Sequence, residues 1–290
     1  MTSTSFPVQV LPSMESLPED SPLRKAYPVD IYTNGGYFPS PNGRVRYWVV
    51  GPQSGDKVAL IHGISVPSIA YQKVAQHLVD KGFQVLLYDL HGRGYSEAPG
   101  RVLESSDYAI QLALLLQYVG WNAAKIVGFS MGGGVAAAFA SLFPHLVNGK
   151  VVFISSAGLI ELPTDENGIR QPTQPRRSDN PDSLAVELRQ LQGELLPGFK
   201  KILGDDMQYG PIAGLDWAFK KLSGLQTNAG TLQILIIHGT DDDIVPFTEA
   251  IKIHRHIPEA KLAKIEGATH YLVVEEEHWL TVAENISGFL

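Results

Sequence analysis

Gly128-Phe129-Ser130-Met131-Gly132 sets a serine between two glycines, directly after the apolar run 125–127 and before the small-residue stretch Gly133-Gly134-Val135-Ala136-Ala137-Ala138. Strand, sharp turn and helix in that order is the context in which Gly-x-Ser-x-Gly exposes a nucleophilic hydroxyl above a sheet edge. The glycines leave room for close backbone packing, and the helix that follows aims its first N–H groups at the site, favouring negative charge there. The plainer alternative is a glycine-rich turn that lets a small-residue helix pack on the sheet. A phosphate loop is disfavoured, because no Gly-Lys-Ser/Thr is present.

A serine hydroxyl becomes a useful nucleophile only when an imidazole takes its proton and a carboxylate orients that imidazole. In strand–turn–helix sites of this kind the chain order is Ser, then Asp or Glu, then His. Three adjacent carboxylates, Asp241, Asp242 and Asp243, follow the apolar run 232–237 and the turn residue Gly239. Their spacing lacks the longer ligand loop of a calcium site. Four histidines follow them. His254 and His256 lie in a charged helical segment, and His278 stands among Glu275, Glu276 and Glu277 on what reads as a surface helix. His270 is different: it follows a short strand pattern (261–265) and the turn Glu266-Gly267-Ala268-Thr269, which places it at the same sheet edge as Ser130. His270 is therefore the expected base. Two backbone donors must meet a developing oxyanion. The N–H of Met131, next after the nucleophile, is one. The other falls in the loop His62-Gly63-Ile64-Ser65, where Ile64 is the candidate.

The elements needed to hold these residues are legible as alternating runs. Apolar stretches at 58–61, 85–88, 125–129, 151–154 and 232–237 alternate with helical patterns at 68–81, 107–119 and 131–143. Nearly unbroken β-branched runs suit strands buried on both faces, so the expectation is an α/β fold with a mostly parallel, doubly wound sheet. Asn42-Gly43 between two strand-like runs adds a hairpin at one edge. About seventy residues separate Ile160 from Thr231, too many for a plain loop. They begin with a polar, proline-rich stretch (163–182) and continue with helical patterns at 183–195, 198–203 and 215–222. This predicts a helical cap over 159–231 inserted into a core formed by 29–158 and 232–290. Residues 1–28, rich in Pro, Ser and Thr, read as an extended leader.

Composition bounds the rest. The chain has 290 residues, of which 44% are hydrophobic and 18% charged, as in a globular protein. Its net charge of −7 argues against a nucleic-acid partner. The absence of cysteine removes thiolate catalysis, disulfides and cysteine-ligated metal or iron–sulfur centres. No metal or organic cofactor is expected. The first residues lack the basic and apolar regions of a signal peptide, and no apolar run has transmembrane length, so the cytosol is the default.

Taken together, Leu60-Ile61-His62-Gly63, the segment from Tyr88 to Ser96, Gly128 to Gly133, His238 to Pro246 and Ile265 to His270 resemble the α/β-hydrolase superfamily with a helical cap. The resemblance spans about residue 44 to 290. It also sets the register of the acidic loop. Relatives commonly carry Gly-x-x-Asp-x-x-Val-Pro after this strand, and from Gly239 that pattern reaches Asp242, with Val245 and Pro246 in place. The resemblance implies a Ser130–His270–Asp242 triad, with Asp241 and Asp243 pointing elsewhere. It also implies that Asp89 and Ser96 tie a structural turn. A serine at the elbow argues against the aspartate-dependent dehalogenases and epoxide hydrolases of the superfamily. Ring-cleavage carbon–carbon hydrolases typically have Trp after the histidine, where Tyr271 stands; perhydrolases often have Trp where Ile64 stands. The implied function is hydrolysis of a small or medium apolar carboxylic ester through an acyl-enzyme, as in a carboxylesterase. Carbon–carbon, lactone and amide hydrolysis by the same triad, and a non-catalytic small-molecule receptor, are the alternatives. Cap residues Phe199, Met207, Trp217 and Phe219 could face a pocket or the cap's own packing, with packing favoured for each.

Overall fold

The computed structural model describes residues 9–166, 170 and 183–290. In chain order the first half runs β1 (Val10–Leu11), α1 (Pro22–Ala26), β2 (Gly35–Ser40), β3 (Gly43–Val50), β4 (Lys57–Ile61), α2 (Gln72–Asp80), β5 (Gln84–Tyr88), β6 (Ala98–Pro99), α3 (Ser105–Tyr118), β7 (Ala124–Phe129), α4 (Met131–Leu142) and β8 (Val147–Ile154). Then follow α5 (Leu184–Leu195), α6 (Pro197–Tyr209), α7 (Asp216–Leu222), the short pair β9 (Gln226–Thr227) and β10 (Gly230–Thr231), β11 (Gln233–Gly239), α8 (Phe247–His256), β12 (Lys261–Ile265) and α9 (Trp279–Phe289).

Eight strands form one sheet in the order β12-β11-β8-β7-β4-β5-β3-β2. The six from β5 to β12 pair in parallel, and the β2–β3 hairpin is antiparallel. Strands β5 and β7 are buried along their whole length, which is why they read as unbroken apolar runs. Two apolar clusters result, one on each face. One joins α3, α4 and α8 to the sheet through residues such as Leu112, Phe139 and Ile253. The other joins α2 and α9 through Val74, Leu78 and Ile286. The expected mostly parallel α/β sheet is thus the observed one.

Helices α5, α6 and α7 lie between β8 and β11, inside the 159–231 segment expected to form the cap. Most of its proline-rich opening (167–169 and 171–182) lies outside the described residues. Helix α6 is longer than the pattern 198–203 predicted, because Gly204, Asp205 and Asp206 interrupt the apolar signal without ending the helix. Among the aromatic candidates, Phe199 and Phe219 are buried and Phe219 packs on Phe153 with ring centroids 5.3 Å apart. Met207 is half-buried against the core cluster, and Trp217 is 45% exposed.

The leader expectation needs correction over its described part. Residues 10–11 pair with Ala98 and Pro99, and Met14, Leu23 and Tyr27 are fully buried. The composition was misleading because Ser21 and Pro22 are helix-start residues. Ser21 Oγ accepts from Arg24 N–H and Pro22 sits at the first helical position of α1. Residues 1–8 lie outside the described residues.

Candidate active site

Ser130 sits between the end of β7 and the start of α4 with φ 55° and ψ −122°, a conformation a non-glycine residue holds only under constraint. The constraint is visible in the backbone. Ser130 N–H donates to Ile154 O, and Ser130 O accepts from both Gly133 and Ala157 N–H at 2.9 and 3.0 Å. The flanking glycines are required by contact: a Cβ on Gly128 would collide with the Gly132 carbonyl, and one on Gly132 with the Ile61 carbonyl. The Met131 N–H opens α4, one of the N-terminal donors that lack an intrahelical acceptor.

His270 follows β12 after the four-residue turn Glu266–Thr269 and is 4% exposed. Its Nδ1 lies 2.8 Å from Asp242 Oδ2 and its Nε2 lies 2.9 Å from Ser130 Oγ. An ionised carboxylate only accepts, so Nδ1 carries the proton and Nε2 is left to accept from the serine hydroxyl. Phe129 lies against one face of the imidazole, with centroids 5.2 Å apart.

The three aspartates after β11 separate cleanly. Asp241 and Asp243 are exposed, whereas Asp242 is buried. Asp242 Oδ1 accepts from the N–H groups of Ile244 and Val245 at 3.0 and 2.8 Å, leaving Oδ2 for His270. Buried Val245 anchors the far side of the loop, and its carbonyl accepts from His238 Nε2 at 2.8 Å. The same Nε2 is 3.4 Å from Asp242 Oδ2. Burial alone would raise the Asp242 carboxyl, but His270 and His238 beside it outweigh that and hold it below the usual carboxylate range. Of the other histidines considered, His254 and His256 fall on α8 and His278 immediately precedes α9; none of the three joins this chain.

The loop after β4 runs beside the nucleophile: a Cβ built on Gly63 would stand 3.2 Å from the Ser130 Cβ. His62 is fully buried and organises it. Leu90 N–H donates to His62 Nε2 at 2.9 Å, so Nδ1 bears the proton and donates to Gly63 O at 2.7 Å. That carbonyl shares a planar trans peptide with the Ile64 N–H, so fixing one aims the other. Burial pushes the His62 imidazole down to about 3, keeping it neutral for this task.

The segment around Asp89 is a structural turn, as the resemblance implied. Its carboxylate accepts from Ser68 and Tyr95 N–H and from the Ser68 and Tyr27 hydroxyls, and Ser96 Oγ donates to Asp89 O. Burial raises Asp89 to about 6. Arg93, in the same turn, is also fully buried. It donates through Nε to Ile64 O at 2.9 Å, through Nη1 to Tyr108 Oη at 3.0 Å, and through Nη2 to Asp206 of α6. Gln192 of α5 donates to Ser65 O at 2.8 Å and accepts from Gly94 N–H at 3.0 Å. Spacing and resemblance singled out neither Asp206 nor Gln192. A signal was present: Asp206 continues the buried stripe Phe199–Ile202, and Gln192 the stripe Ala185–Leu188. A polar residue on an apolar helix face must find a buried partner.

A cleft of about 900 Å³ is lined by Thr269 and Tyr271, the chain neighbours of His270, by Val66, Ile69, Leu184 and Ala185, and by the charged residues Lys73, Glu275, Glu276 and Glu277; Ser130 and His270 themselves are not in its wall. Among the described residues no group of three or more His, Asp or Glu side chains is arranged to hold a metal ion. Nor is any helix among them long and apolar enough to cross a membrane.

Comparison with known proteins agrees with this architecture. The chain is 29% identical over 246 residues to an uncharacterized protein of Mycobacterium tuberculosis, covering 75% of this chain and 71% of that one. It is 24% identical over 289 residues to a bifunctional esterase/perhydrolase of Acinetobacter calcoaceticus, covering 88% and 99%. A bromoperoxidase structure from Bacillus anthracis superposes with a TM-score of 0.69 at 21% identity, covering 88% of this chain and all of that one. The family model described as the alpha/beta hydrolase fold matches residues 58–277, which include Ser130, Asp242 and His270. The chain therefore belongs to the α/β hydrolase fold family.

Proposed function

We propose that the protein is a serine ester hydrolase acting on a small or medium apolar carboxylic ester through an acyl-enzyme. The observation that carries this reading is the continuous hydrogen-bonded chain from Asp242 through His270 to Ser130 Oγ, with contacts of 2.8 and 2.9 Å. Ser130 Oγ attacks the acyl carbonyl while its proton passes to His270 Nε2, and Asp242 stabilises the imidazolium that forms. The tetrahedral oxyanion is met by the N–H groups of Ile64 and Met131. On collapse, His270 returns the proton to the departing alcohol, leaving Ser130 acylated. A water molecule, deprotonated by His270, then releases the carboxylic acid and restores the serine. Helices α5–α7 serve as a cap, and the cleft beside His270 receives the substrate. Its Val66, Ile69 and Leu184 wall suits an apolar group, while Lys73, Glu275, Glu276 and Glu277 make the remainder of the lining charged. Tyr271 in place of a tryptophan, and Ile64 in place of another, favour ester over carbon–carbon cleavage or perhydrolysis.

The test pairs labelling with turnover. A fluorophosphonate probe should label Ser130, and aryl esters of graded acyl length should turn over in preference to amide and diketone substrates. Ser130→Ala should abolish both. Retention of full ester turnover by Ser130→Ala would overturn the assignment.

A further inference from the structure

Three consecutive carbonyls beside the nucleophile each accept a hydrogen bond from a different buried side chain. Gly63 O accepts from His62, Ile64 O from Arg93 and Ser65 O from Gln192, at 2.7, 2.9 and 2.8 Å. Three successive peptide planes are thereby pinned, the first of which carries the Ile64 N–H. The first donor belongs to the core. The other two depend on the α5–α7 insert: Gln192 is itself on α5, and Arg93 is held by Asp206 on α6. Tyr108 closes that contact from the core side, donating to Asp206 at 2.8 Å while accepting from Arg93. Arg93, Gln192 and Asp206 are all fully buried. Helix α6 also touches the Arg93 turn directly, since a Cβ on Gly92 would come within 2.8 Å of Ile202.

We propose that Gln192 and Asp206 are positioning residues that set the geometry of the Ile64 oxyanion donor, so that the insert completes the catalytic site as well as covering it. This rests on the ester-hydrolase reading above. The physical argument is one of orientation. An isolated loop would hold its peptide planes by solvent contacts alone, and small misplacement of an oxyanion donor is costly because the donor must meet charge that develops only in the transition state. Arg93 would otherwise bring an uncompensated buried charge to Ile64 O; Asp206 makes that contact sustainable.

The experiment compares the wild-type protein with Asp206→Asn, Gln192→Met and the exposed α6 control Lys201→Ala. Readouts are kcat and KM on a short-chain 4-nitrophenyl ester, and inhibition by a trifluoromethyl ketone that forms a tetrahedral adduct on serine. Both network variants should lose about 10- to 100-fold in kcat with KM within about threefold, and inhibitor affinity should fall by a similar factor. Lys201→Ala should match wild type in all three. Loss expressed in KM alone, or a fall in kcat with unchanged inhibitor affinity, would overturn the proposal. If Asp206→Asn fails to fold, Gln192→Met decides by the same criteria. Wild-type turnover and Ser130 labelling with unaffected variants would sink this inference alone; their absence in the wild type would remove the hydrolase reading and this one with it.

Discussion

Asp242 and Asp206 are both buried carboxylates bonded to buried cationic or potentially cationic side chains, yet their surroundings act on them in opposite directions. Asp242 accepts from two backbone N–H groups of its own loop and from His270, with His238 beside it, and its carboxyl is held below the usual range. Asp206 has no exposed surface; burial pushes its carboxyl upward, and Arg93 offsets this only in part. The difference lies in where the compensation originates. Asp242 is compensated by His270 and His238, 28 and 4 residues away, and by two N–H groups of its own loop, whereas the partners of Asp206 stand 98 and 113 residues away. A charge compensated across the fold ties two parts of the molecule together, and it is costly if either part is lost.

Substitutions can break or sharpen this contrast. The largest expected effect is on chemistry: Asp242→Asn should lower kcat by about 10⁴-fold, because the amide no longer selects the tautomer that leaves Nε2 free for Ser130. Steady-state kinetics on the aryl ester would measure it. Asp206→Ala tests the other side. It leaves Arg93 buried and unpaired, and should cost about 3–5 kcal/mol of unfolding free energy in a urea titration. Equal stability to wild type would mean that the pair is dispensable. Met14→Ala comes next, since removing a fully buried side chain should cost about 2–5 kcal/mol. An unchanged midpoint would mean that residues 9–28 are an accessory to the core after all.

Stability should also fall with acidity from about pH 6.5. Burial pushes His62 to about 3 and His91 to about 4 in the folded protein. The unfolded chain therefore binds two protons there that the folded one refuses, which favours unfolding as pH drops. Asp89 works the other way. Its carboxyl is raised to about 6, so the folded state gains one proton first. The balance between about pH 6 and 4 is near one proton, or about 1.4 kcal/mol lost per pH unit. Urea midpoints at pH 7, 6 and 5 measure this; a rise in stability toward pH 5 would contradict it. The smallest effects belong to Asp241→Asn and Asp243→Asn, both exposed, where kcat should stay within about threefold of wild type. Losses comparable to that of Asp242→Asn would erase the distinction among the three aspartates.

Much of the candidate site was legible because its determinants are local. The elbow needs two glycines at fixed offsets from Ser130 for contacts of a few ångströms, and the acid loop needs Gly239, Val245 and Pro246 at fixed offsets from Asp242. Even so, residue order alone left three aspartates open, and the register came from resemblance. Residues 9–28 resemble an unstructured leader in sequence because proline and serine at a helix start have the same composition. Only burial of Met14, Leu23 and Tyr27 distinguishes the two cases. The pattern 198–203 stops short of the end of α6 because Gly204, Asp205 and Asp206 break the apolar signal, although Asp206 lies on the helix's buried stripe.

By itself, then, the sequence determined the alternating α/β order, the strand–turn–helix around Ser130, the position of His270 after the last strand, and the presence of a helical insert before β11. These follow from periodicity and short-range sterics, which act between residues close in the chain. Tertiary structure decided which aspartate is buried, how residues 9–28 are used, and that Gln192 reaches the loop beside Ser130 directly and Asp206 through Arg93. Those outcomes depend on desolvation and on donors brought together across about a hundred residues of chain, and no local pattern encodes where a buried charge will find its partner.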